Sequence, residues 1–108
     1  MELIKTVQEL QKTTMVLRES NKKIKNLAIK KAETERVYRM ELSKEKYRLR
    51  ESGMPITLIE DIAKGNVADI KYERDLAAEL HRSALQSLES LKVEVQAWQS
   101  ILRNLDEV

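Results

Sequence analysis

From Leu3 to Leu49 the chain can be walked in alternating steps of four and three residues without a slip. The steps fall on Leu3, Val7, Leu10, Thr14, Leu17, Asn21, Ile24, Ala28, Lys31, Glu35, Tyr38, Leu42, Glu45 and Leu49. Positions so spaced share one stripe of a helix. Val7, Thr14, Asn21, Ala28, Glu35, Leu42 and Leu49 occupy the a positions of a heptad, and the others occupy d. No glycine or proline interrupts the run. The sequence therefore predicts a single helix over residues 2–52, roughly 75 Å long at about 1.5 Å per residue.

The only proline and both glycines lie together in RESGMPITLIEDIAKGNVAD, residues 50–69. Gly53 suits the left-handed position that closes a helix, and Pro55 stops its continuation. Ile56, Leu58, Ile59, Ile62 and Ala63 are apolar at helical spacing, so a short helix is predicted over 56–64. Thr57 and Glu60 have the spacing of a capping box, and Gly65 again suits a helix-closing site. A second seam follows: Val67, Ile70, Arg74, Ala77, His81, Ala84, Leu88, Leu91, Val95, Trp98, Leu102 and Leu105. It predicts a helix over 67–105, with Asn66 as N-cap and Asp69 in the first turn. The breaks are gathered where the chain turns round.

The expectation is an all-α fold, one domain over 1–108, built as a long antiparallel coiled-coil hairpin with a short connecting helix. Ile59 should sit beneath the cap that this short helix forms over the open end of the hairpin. Composition agrees. The chain is 35% charged and 4% aromatic with no phenylalanine, while 42% hydrophobic content in regular stripes argues against disorder. Charge divides between the helices: residues 1–52 carry 14 Lys and Arg against 8 Asp and Glu, and residues 53–108 carry 6 against 10. The helices are thus electrostatically complementary.

If Glu51 lies level with Val67, then Leu105 falls opposite Thr13 and residues 2–12 overhang unopposed. Leu3, Ile4, Val7 and Leu10 would then lack a partner within the chain. Burying such side chains is worth about 1.5–3 kcal/mol each, so a homo-oligomer, a dimer first, is expected through this overhang. Asn21 at an a position would fix the register of that interface. The same alignment sets Glu45 level with Glu73, beside Arg74, and Glu35 level with Ser83, near His81. Acid would meet base in two polar core layers, Glu35 with His81 and Glu45 with Arg74.

The stretch GMPITLIEDIAKG supplies Gly53, Met54, Pro55, Thr57, Leu58, Ile59, Asp61, Ala63, Lys64 and Gly65. Further on stand Arg74, Asp75, Ala77 or Ala78, and Glu79. In these residues the second two-thirds of the chain resembles small helical accessory proteins of bacteriophages and prophages of Gram-positive bacteria. The resemblance implies a protein of the host cytoplasm and brings no catalytic motif.

Chemistry is not expected. No G-x-x-x-x-G-K-[ST], G-x-G-x-x-G or G-x-S-x-G occurs, and with one histidine and no cysteine no metal or cofactor site is predicted. Asp69, Glu73, Asp75 and Glu79 read as solvated helix faces, and Trp98 at a d position reads as packing. The longest apolar runs fall far short of the ~20 residues of a membrane span. The opening MELIKTVQEL has no basic n-region or apolar core, so it is not read as a signal peptide. A helical hairpin offers length rather than a cleft. The function expected is therefore docking on a host or phage protein involved in nucleic-acid metabolism or defence. A second expectation is direct nucleic-acid binding through Lys22, Lys23, Lys25, Lys30 and Lys31, although no aromatic residue interleaves them to stack bases. A third is an oligomer that sequesters a small molecule between subunits.

Overall fold

Three helices follow one another in the computed structural model, which describes residues 2–106. They are α1, Glu2–Glu51; α2, Ile56–Asn66; and α3, Ala68–Asp106. No strand occurs among the described residues.

The end of α1 shows why glycine stands at position 53. Its backbone is left-handed, with φ of 85°. That turn lets Gly53 N–H donate to the Arg50 carbonyl at 3.1 Å and Met54 N–H to the Leu49 carbonyl at 3.2 Å. These two bonds form a Schellman closure, and Met54 packs on the cluster containing Leu49, the apolar contact that usually accompanies it. Pro55 then precedes α2, with φ of −55° and ψ of 135°.

The other end of the connector departs from expectation. α2 runs on to Asn66 rather than stopping at Lys64, and Gly65 is an ordinary helical residue without positive φ. No side chain caps α2, so Thr57 and Glu60 do not form the expected box. Nor does Asn66 cap α3. Only Val67, with φ of −108° and ψ of 22°, leaves helical geometry. Val67 N–H still donates to Ala63 at 3.1 Å, and Lys71 N–H donates to Val67 at 3.0 Å. One residue suffices to break the helix because the hydrogen-bond ladder bridges it.

Packing divides the chain into two compact units: Leu27–His81, and Met1–Asn26 with Arg82–Val108. In the first, Leu49, Ile59 and Ala63 form a buried cluster, with Leu42, Met54 and Ile62 against it. Leu42 lies two turns before Leu49, so α2 lies back along the last turns of α1 instead of across their end. The helices on either side run antiparallel. Asn66 reaches Glu45, Arg74 reaches Tyr38 and Glu35, and Leu80 shares a groove with Leu27. The alignment of Glu51 with Val67 is therefore corrected. Because α2 folds back, α3 begins level with Glu45.

In the other unit Leu88 of α3 is buried, and Leu91, Val95, Trp98, Leu102 and Leu105 are half-buried. Thr13 and Val16 share a groove with Leu91 and Glu94. The expected pairing of Thr13 with Leu105 is not found. Thr6 is 3% exposed and Thr13 5%, while Val7 and Leu10 are half-buried, so residues 2–12 are no unopposed overhang.

Along α3, every member of the seam read from the sequence is buried or half-buried. Along α1 the stripe is wider than the a and d positions. The heptad series Thr6, Thr13, Ser20, Leu27, Thr34 and Glu41 is also buried or half-buried, whereas Leu3, Asn21, Ala28 and Lys31 are exposed. Small hydroxyl residues suit this flank because they satisfy themselves. Thr13 Oγ1 donates to the Glu9 carbonyl at 2.9 Å, and Thr34 Oγ1 donates to the Lys30 carbonyl at 2.9 Å.

Candidate interaction surface

Polar side chains meet at two levels of the Leu27–His81 unit. At the first, the Arg74 guanidinium lies 4.2 Å from the centroid of the buried Tyr38 ring, a cation–π stack. Its Nε is 3.5 Å from Glu35, and it donates to Asp75 at 3.0 and 3.1 Å. Lys71 donates to the other oxygen of Asp75 at 2.9 Å. Asp75 is held below the usual carboxylate range, first by Lys71 and then by Arg74, and Arg74 is raised chiefly by Asp75. Glu35 also accepts from Arg39 at 2.8 Å.

At the second level Glu45 accepts from Arg48 Nε at 3.1 and 3.2 Å, and from Asn66 Nδ2 at 2.8 Å. These donors favour the ionised form and lower its pKa to about 2, Arg48 contributing most. Both layers thus exist with different partners from those expected. Arg74 meets Glu35 and not Glu45; Glu45 takes Arg48 and Asn66. No hydrogen bond or ion pair joins Glu35 to the half-buried His81 among the described residues. All three differences follow from the shifted alignment.

Two flanks of this unit carry shallow grooves. One, of about 290 Å³, is walled by Ala28, Ala32 and Ala78 with Lys31, Glu35 and Arg74. The opposite flank holds adjoining depressions of about 330 and 110 Å³ between the two helices, which share Lys30 and Glu73. At the turn, Ile59 is buried as expected beneath α2, while Ile56 is 83% exposed and Leu58 and Pro55 are also exposed.

Lys22, Lys23, Lys25, Lys30 and Lys31 are all exposed. Among the described residues, Lys22 alone of these has an ion pair, to Glu19 at 3.6 Å. Leu3 and Ile4 are exposed. Across the described residues seven apolar side chains are buried, whereas sixteen large ones are exposed, among them Met15, Ile29, Met40, Tyr47, Tyr72 and Val93. Sequence reasoning missed this second population, which lies outside the seam; the signal was present in apolar residues at b, c and f positions. No cluster of three or more His, Cys, Asp or Glu suited to a metal occurs among the described residues, and none of the helices is long and apolar enough to cross a membrane. Comparison with protein-family models, curated proteins and solved structures finds no match.

Proposed function

We propose that this chain is a non-enzymatic, cytoplasmic accessory protein of phage type that acts by docking on a host or phage protein involved in nucleic-acid metabolism or defence. One observation carries the reading: large apolar side chains are exposed in greater number than they are buried. Such surface on a chain with so small a core marks sites for macromolecular contact. The charged residues beside the core support it. Arg74, Asp75 and Glu45 are engaged with protein partners, which suits a structural layer better than a reactive centre. The chain is also proposed to pair with itself as a coiled-coil homo-oligomer.

The exposed lysines of α1 favour a second reading, direct contact with the phosphates of a nucleic acid. Affinity capture from a lysate of Gram-positive cells, with and without nuclease, separates the two. The docking reading expects a protein retained in stoichiometric amount after nuclease. Retained nucleic acid that is lost steeply with salt would replace it by the second reading.

A further inference from the structure

One flank of the Leu27–His81 unit has walls of opposite character. α1 contributes Leu27, Lys30 and Val37; α3 contributes Ile70, Glu73, Leu76 and Leu80. Val37 is 40% exposed, Leu76 39% and Leu80 49%, so apolar surface lines both sides of the groove. Lys30 and Glu73 face the same depressions from opposite walls and lie at one level of the helix pair. Neither side chain is engaged in an ion pair among the described residues. The groove therefore presents a cation on its basic helix and an anion on its acidic one, each flanked by apolar residues.

We propose that a second copy of this chain fills this groove, as a two-fold dimer in which α1 of each copy lies antiparallel against α3 of the other. Charge selects this occupant and this symmetry. A two-fold axis parallel to the helices keeps every residue at its own level and exchanges the walls. Lys30 then meets Glu73 of the partner subunit, and Val37 meets Ile70 of the partner subunit. The other two-fold, across the helices, would set Lys30 against Lys30 of the partner subunit and acid against acid. A self-complementary patch of this kind is what an isologous interface requires. The dimer rests on the proposed self-pairing, and it adds the surface and the symmetry.

Sedimentation at tens of micromolar tests it, using Lys30→Glu, Glu73→Lys and an equimolar mixture of the two. Both positions are exposed, and circular dichroism verifies that each variant keeps its helix content. The parent should sediment as a dimer. Each reversal should weaken dimerisation by about tenfold or more, since it sets like charges against each other at both copies of the contact. The mixture should recover dimer, because each variant then meets the opposite sign. As a variant independent of charge, Leu76→Gln should also weaken the dimer. A monomeric parent would overturn self-pairing and this interface together. A parent dimer that both reversals leave unchanged, or a mixture that fails to recover, would overturn the groove as the interface while leaving self-pairing in place.

Discussion

Gly53 and Gly65 look alike in the sequence, each just past an apolar helical run, yet only Gly53 has positive φ. An added Cβ would meet nothing within 4 Å at either site, so the backbone alone separates them. Gly53→Ala should destabilise by about 1 kcal/mol or more, because a left-handed residue is strained by a side chain. Gly65→Ala should stabilise by about 0.5–1 kcal/mol, as alanine does in a helix interior. Urea melts of the two variants check the contrast. Glu45 adds a pH signature. Its folded pKa, about 2, lies below the ordinary value of 4.5, so its stabilising bonds are fully present above 4.5 and are lost as pH falls through 2. Comparing Glu45→Gln with the parent, the stability difference should be constant near neutrality, shrink below pH 4.5 and vanish near pH 2. A difference independent of pH would show that Glu45 does not act through its charge. The closing role of Gly53 was legible because proline follows two residues later. The role of Gly65 was not, since glycine inside a helix and glycine after one leave the same mark in a sequence.

At the scale of elements, both long helices were legible because heptad spacing survives substitution of single members by polar residues. α3 matches its predicted seam throughout, including Arg74 and His81. The threonine flank of α1 was missed because a period read in apolar residues passes over hydroxyls; threonine recurring at 6, 13 and 34 was the available signal. The alignment of the helices was not legible either. It depends on whether α2 crosses the end of α1 or folds back along it, and both arrangements bury Ile59 and Ala63. Folding back brings Arg74 to Glu35. A double-mutant cycle with Glu35→Gln and Arg74→Met should give a coupling of about 0.2–1 kcal/mol, the range for partly exposed pairs. The corresponding cycle with Glu35→Gln and His81→Gln should give none. The reverse result would restore the unshifted alignment.

For the whole molecule, function depends on which helix faces the chain leaves uncovered, and these follow from the alignment within each unit. With Val67 level with Glu51, the free apolar surface would have been the first turns of α1. With α3 beginning level with Glu45, Thr6 and Thr13 are covered, and the free surface includes the groove of Val37, Leu76 and Leu80. The chain has no cysteine, so spin labels can be placed at Lys30→Cys and Glu73→Cys without removing native thiols. Labelled chain diluted into excess unlabelled chain reports the distance within one molecule. The account predicts strong dipolar broadening, since both positions line one groove. In the unshifted alignment residue 73 stands level with residue 45, a further separation of roughly 22 Å along α1 at about 1.5 Å per residue. A diluted sample without short-range broadening, with the labels apart by that separation or more, would contradict the account.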